Sequence, residues 1–296
     1  MSSLMQWNAK RTPFWTNKKQ KGIYLNHKTS KELRAIRKMK HLLITLAAVL
    51  LLGCDPHVDS VYLGRSEANM LGDVGRGDIE AAKKYLDNGG NVNLQDEPGM
   101  TPLHHAVNSD WKGKNFEMVK LLIDRGANVK AIDDTHHTPL HSASNKETAE
   151  LLIDAGADVN AKTQRTGETL LYSAAWGAAQ GHPKSYQIYL DLTKMLIAKG
   201  ANVNVKLKSG SMINDNKPYR AKSEDTVLHK VVRSYSEKHA SEVAELLITN
   251  GAKINERNIR GQTPLDEALS NKRNKTAELL RKRGGKSGEE LKAEEK

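Results

Sequence analysis

Thr101-Pro102-Leu103-His104-His105-Ala106-Val107 decides the reading of this chain, because close copies of it return four more times. They begin at Thr138 (Thr-Pro-Leu-His-Ser-Ala-Ser), Thr169 (Thr-Leu-Leu-Tyr-Ser-Ala-Ala), Thr226 (Thr-Val-Leu-His-Lys-Val-Val) and Thr263 (Thr-Pro-Leu-Asp-Glu-Ala-Leu). The spacings from Thr to Thr are 37, 31, 57 and 37 residues. Self-similarity at such a period marks an array of stacked units, each of which buries its apolar face only against its neighbours. Each position has a physical reason. Thr caps a helix by accepting a hydrogen bond from an orphan backbone N–H. Pro follows at the first helical position, where its missing donor costs nothing. Leu points inward, and the small residues after it let helices approach closely.

A second helix follows each copy, as in Glu117-Met118-Val119-Lys120-Leu121-Leu122-Ile123, with apolar residues at helical spacing. It stops at a Gly, here Gly126, suited to the left-handed conformation of a helix end. The closing element recurs around Gly89, Gly156, Gly200 and Gly251, usually as Gly-Ala-x-Val-Asn. This order of elements resembles the ankyrin repeat. The resemblance implies an all-α solenoid of about six helix-turn-helix units joined by β-hairpin loops, covering 66–285. Unit boundaries are expected at 66–98, 99–135, 136–166, 167–223, 224–260 and 261–285. The first unit lacks the Thr-Pro opening and reads as an N-terminal cap. Residues 286–296, KSGEELKAEEK, are too charged to pack and are expected to fray as a charged tail.

The units differ in length. From Thr to the closing Gly, units two to six take 25, 18, 31, 25 and 21 steps, the last being the family's usual spacing. The third unit is therefore expected to have a truncated helix. The fourth is longer and includes Trp176-Gly177-Ala178-Ala179-Gln180-Gly181-His182-Pro183. Between Gly200 and Thr226 lie 26 steps where the other hairpins take 12 or 13. The excess, around 206–222, is expected to form an extended loop or a longer hairpin, and long insertions of this kind are often functional.

The N-terminus is a different kind of sequence. Of the net charge of +11, residues 1–53 supply +10, from eleven Lys and Arg against Glu32 alone. Residues 54–296 carry 35 basic and 34 acidic side chains, so the repeats lack the basic surface that binding nucleic acid demands. Leu42 to Gly53 is an uncharged run of twelve residues behind Lys38 and Lys40. That is short of the roughly 20 residues needed to span a bilayer, but it has the length of a secretory signal core. The run ends Leu51-Leu52-Gly53-Cys54 and resembles the lipobox of bacterial lipoprotein signal peptides, in which the Cys receives lipid. Cys54 is the only cysteine, so no intrachain disulfide can form. The expected organisation is a basic, disordered extension over 1–38, a signal peptide over 39–53 and a tether over 54–65. Translation from Met39 would make a compact signal and leave 1–38 as an over-long start. The address that follows is export and lipid anchoring at a membrane.

Catalytic patterns are missing: there is no HExxH, no phosphate-binding Gly loop and no Ser/His/Asp arrangement. No enzyme activity, cofactor, small-molecule substrate or nucleic-acid ligand is expected. His104, His141 and His229 stand at the motif's fourth position, where the ankyrin resemblance implies a structural role. A rival reading takes His136, His137 and His141 as a metal site, in a metal-binding factor or metal-dependent enzyme; another takes the array as an unlipidated cytoplasmic adaptor. His136 also replaces the usual turn Gly, implying an altered hairpin tip. The resemblance further implies protein binding through hairpin tips and the concave helix face. Tip candidates are Glu97, Met100, Asp134, His137, Gln164, Arg165, Glu168, Arg260 and Gln262; helix candidates are Asn108, Ser109, Asn145, Lys146, Trp176 and Arg233, with Trp111 beside them. Trp111 and Trp176 stand out, since Trp is enriched at binding hot spots.

Overall fold

The computed structural model describes residues 65–110, 113–208, 210–214, 217–221 and 224–296. Helices α1 (Arg65–Arg76) and α2 (Ile79–Asp87) form the first unit. Units two and three follow as α3 (Pro102–Asn108) with α4 (Phe116–Asp124), then a single 3-10 turn (Pro139–Ser142) with α5 (Lys146–Asp154). Unit four is α6 (Leu170–Gln180) with α7 (Tyr186–Ala198), followed by the strands β1 (Gly210–Asn214) and β2 (Lys217–Ala221). The array continues with α8 (Val227–Val232), α9 (Glu237–Thr249), α10 (Pro264–Ser270) and α11 (Asn274–Lys282), and ends in α12 (Gly288–Glu294). None of the described helices is long and apolar enough to cross a membrane.

The motif caps an α-helix as expected at Thr101, Thr169, Thr226 and Thr263. Thr101 is extended (φ −92°, ψ 167°), its hydroxyl accepts from the His104 N–H, and His104 Nδ1 accepts in return from the Thr101 N–H at 3.1 Å. Thr226 with His229 and Thr263 with Asp266 repeat this reciprocal box. Because Nδ1 is an acceptor, the ring proton of His104 sits on Nε2, which donates to the His137 carbonyl of the next hairpin at 3.1 Å. His229 does the same to the Gln262 carbonyl at 3.0 Å. Burial pushes the pKa of both rings down, which keeps the neutral donor–acceptor form.

The second helices bury one stripe each: Met118, Val119 and Leu122 on α4, Ala149 and Leu152 on α5, and Val243, Ala244 and Leu247 on α9. Together with Leu103, Leu140, Leu171, Leu228 and Leu265 from the motif they form one apolar cluster running from Met70 to Leu280. At helix ends such as Gly126 the backbone turns left-handed (φ 83°), and a Cβ there would meet nothing within 4 Å, so conformation rather than space requires Gly. An asparagine clamp then ties hairpins together. Asn93 Nδ2 donates to the Gly126 carbonyl at 3.2 Å while its Oδ1 accepts from the Asn128 N–H at 2.7 Å. Asn160, Asn204 and Asn255 repeat this with Gly200, Gly251 and Gly284.

The unit lengths have structural counterparts. The shortened third unit has lost its first α-helix to the 3-10 turn over Pro139–Ser142. The longer fourth unit extends both of its helices, to 11 and 13 residues. The 206–222 insertion is a hairpin, antiparallel from Gly210↔Ala221 to Asn214↔Lys217, standing above a Lys206↔Thr226 bridge.

The charged tail corrects the expectation of fraying. Ser287 and Glu290 form a capping box that starts α12, and Gly288 is buried with its N–H on Asp266 Oδ2 at 2.8 Å. Arg281 to Glu290, Lys286 to Glu294 and Arg257 to Glu295 hold its acidic side chains. Those receiving cations lie outside the tail or at its first residue, so the tail's own composition does not reveal them.

Candidate interaction surface

Hydrogen bonds join the first hairpin tip to the second, and the third to Lys208. At the first tip Glu97 is exposed and Met100 half-buried. The Asp134 N–H of the second tip donates to the Pro98 carbonyl at 2.8 Å, stitching the two together. Asp133 organises this second tip: Oδ1 accepts from the N–H groups of Thr135 and His137, both at 2.8 Å. Burial works against ionisation of Asp133, but these N–H donors outweigh it and hold its carboxyl below the ordinary carboxylate range. His136 occupies the turn with φ 62°, the left-handed region that Gly favours. At the third tip Gln164 and Arg165 are exposed and Glu168 is half-buried. Lys208, just before β1, joins it to the inserted hairpin, its N–H on the Thr166 carbonyl at 2.8 Å and Nζ on the Gln164 carbonyl at 3.1 Å. At the fifth tip Arg260 is exposed and Gln262 half-buried.

The helix candidates fall out differently. Asn108, Ser109 and Lys146 are exposed. Asn145 is not a surface residue: it is 4% exposed, caps α5 through Thr148, and donates to the carboxylate of Asp110 at 3.0 Å. Arg233 is half-buried between Asp225 (2.6 Å) and Glu267 (2.8 Å), and Arg260 shares the same Glu267 oxygen at 2.8 Å. Trp176 is half-buried, with Lys230 Nζ 4.4 Å from its ring centroid. Trp111 and Cys54 lie outside the described residues.

His136, His137 and His141 do not converge on a common point for an ion. The rings of His137 and His141 meet edge to face with centroids 5.6 Å apart, and their Nδ1 atoms are engaged by Thr135 and Thr138. Among the described residues, no three His, Cys, Asp or Glu side chains are placed to hold a metal ion. Sequence reasoning missed two elements of the array. The asparagine clamp had a visible signal, the recurrent Asn after Gly-Ala-x-Val. Asp110, 1% exposed and accepting from Asn115, Asn145 and Thr148, occurs once and had none.

A model of ankyrin repeats, in three copies, matches residues 73–163. The chain has the fold of an ankyrin-repeat solenoid. An ankyrin repeat domain from Acinetobacter baumannii superposes with a TM-score of 0.60 at 24% identity, covering 74% of this chain and 100% of that one. Another ankyrin repeat protein gives 0.58 at 22% identity, covering 73% and 97%. A chain from the complex of a predatory endopeptidase of Bdellovibrio bacteriovorus with an immunity protein gives 0.50 at 29% identity, covering 72% and 96%. No curated protein matches in sequence. The ankyrin units account for the tips: the structural positions of each hairpin are internal, and the remaining side chains vary from unit to unit.

Proposed function

We propose that this ankyrin array is a non-catalytic protein–protein interaction scaffold, exported and held at a bacterial membrane by lipid on Cys54. It binds a partner protein through its hairpin tips and concave helix face. The observation that carries the binding reading is the row of hairpin tips, some joined to their neighbours by hydrogen bonds, which presents Glu97, Asp134, Gln164, Arg165 and Arg260 on a scaffold built from internal bonds. The Bdellovibrio complex, a protein–protein assembly, supports a protein as the class of ligand. The address rests on Leu51-Leu52-Gly53-Cys54 behind a basic flank.

Two measurements test it. Palmitate labelling is expected in the wild type and lost in Cys54→Ala; an unlabelled wild type rejects the anchor. In-cell cross-linking from a photoreactive residue at position 97 or 165 is expected to yield one discrete adduct, and no adduct from either position rejects the scaffold reading.

A further inference from the structure

Each hairpin runs into the N-terminus of a first helix, and each second helix ends in the next hairpin. The loops between paired helices therefore lie at the opposite end of the units from the tips. In units four to six these loops, 181–185, 234–238 and 271–275, abut one another. Ser234 Oγ donates to the Ala179 carbonyl at 2.7 Å, the Tyr186 and His239 ring centroids stand 4.1 Å apart, and the Arg273 guanidinium lies 5.3 Å from the Tyr235 ring centroid. The three loops carry Lys184, Lys238, Lys272, Arg273 and Lys275 against one acid, the half-buried Glu237. All four lysines are exposed, and none of their ammonium groups has an ion pair or hydrogen bond among the described residues. The next carboxylates along α9 and α11 are occupied, Glu242 by the Tyr186 hydroxyl and Glu278 by Lys282 at 3.2 Å. The positive ends of α7 and α11 add to the potential here, with no acidic residue in either first turn. Tyr235 stands among these lysines 81% exposed.

From this we infer that the loop edge of units four to six rests on an anionic lipid surface. The inference rests on the membrane address proposed above and adds which side of the array faces the bilayer. Each lysine near an anionic membrane contributes its own attraction, so one local patch suffices. A polynucleotide demands a more extended basic surface, whereas residues 54–296 hold 35 basic and 34 acidic side chains. Protein carboxylates are best gripped by a free Arg fork, and the one guanidinium here, Arg273, is half-buried against Tyr235. Tyr235 suits the lipid surface as well, because its apolar ring and polar hydroxyl match the headgroup layer, where Tyr is enriched. With the loops on the lipid, the hairpin tips at the other end stay open to a partner protein.

The test places a photoreactive residue at position 235 of the full-length, unlipidated chain, or at position 97 on a hairpin tip. Vesicles are phosphatidylcholine with about three-tenths phosphatidylglycerol, at low salt. Residues 1–53 carry a net +10 and draw every variant to these vesicles, so the readout is the lipid adduct at 235 relative to that at 97. That ratio is expected to be about ten in the wild type and near one in K184E/K238E/K272E/K275E. The K184R/K238R/K272R/K275R variant keeps the charge and is expected to keep the ratio. Should the glutamate variant lose its helical circular dichroism, K184Q/K238Q/K272Q/K275Q carries the comparison. A wild-type ratio near one, a ratio that survives removal of the four charges, or its loss in the arginine variant overturns the inference. So does a protein adduct in place of lipid when position 235 is photolysed in cells. Palmitate labelling without a lipid adduct at 235 sinks the edge and leaves the anchor standing; the adduct without labelling sinks the anchor and leaves the edge.

Discussion

Units two and three open with the same four residues, Thr-Pro-Leu-His, yet only one makes an α-helix of them. Thr101 starts α3, seven residues long; Thr138 starts a 3-10 turn of four. The difference lies downstream. After α3 the chain has Asp110 to Asn115 in which to reverse before α4, whereas Asn145 caps α5 three residues after Ser142. Local signals specify where a helix starts, and the distance to the next cap specifies how long it can be. Two further losses fall on unit three, the first at its joint with unit four and the second at its joint with unit two. His104 reaches the next hairpin's carbonyl, but His141 Nε2, buried beside the backbone of Ala161 and Glu168, finds no hydrogen-bond partner. The clamp asparagine present as Asn93, Asn160, Asn204 and Asn255 is Lys130 between these two units.

What holds the joint instead is Asp110. Its carboxylate accepts from the Asn115 N–H of its own unit at 2.7 Å and from Asn145 and Thr148 of the next. Buried hydrogen bonds to a charged acceptor contribute more than neutral ones, and truncation strands three donors. Asp110→Ala is therefore expected to have the largest effect, about 3 kcal/mol of stability lost in urea denaturation. A loss below about 1 kcal/mol would mean that the joint is held by apolar packing alone.

This joint also shows how far residues can be read without coordinates. The repeat period and the short third unit were legible because they are counts, 18 steps against 21 from Thr138 to Gly156. Asp110, Arg233 and the tail were not. Arg233 faces the right way for a partner, but its companions Asp225 and Glu267 lie on other elements, and nothing in their spacing announces an ion pair. Of the candidate surface, the tips were legible because a repeat assigns each residue a direction. The stitching of one tip to another was not, because it runs through backbone groups that every residue carries.

The fourth motif position sharpens the comparison next. His104→Ala removes a cross-unit bond to the His137 carbonyl as well as the cap on Thr101, an expected loss of about 2 kcal/mol. His141→Ala removes only the reciprocal bond to Thr138, an expected loss of about 1 kcal/mol. Paired denaturant melts at neutral pH compare them. Equal losses would show that the ring's value lies in packing and capping rather than in joining units.

The smallest effect is a gain, and it asks whether the weak joint can be repaired. At the other clamps the Asn amide donates to the carbonyl of the next closing Gly and accepts from the N–H two residues later, as Asn204 does with Gly251 (2.9 Å) and Lys253 (2.8 Å). Between units two and three the same backbone groups belong to Gly156 and Asp158, and Lys130, exposed there, supplies neither bond. Lys130→Asn should install both. Two neutral bonds at an exposed site contribute together about 1 kcal/mol, and the short side chain loses less rotamer freedom on being fixed than a lysine would. The substitution is expected to raise the melting temperature of the wild type by a few degrees. It is also expected to recover part of the loss in Asp110→Ala, because both act on one interface and such neighbours couple. Strict additivity of the two changes would mean that the clamp steadies only its own hairpin, and that the joint between units two and three depends on Asp110 by itself.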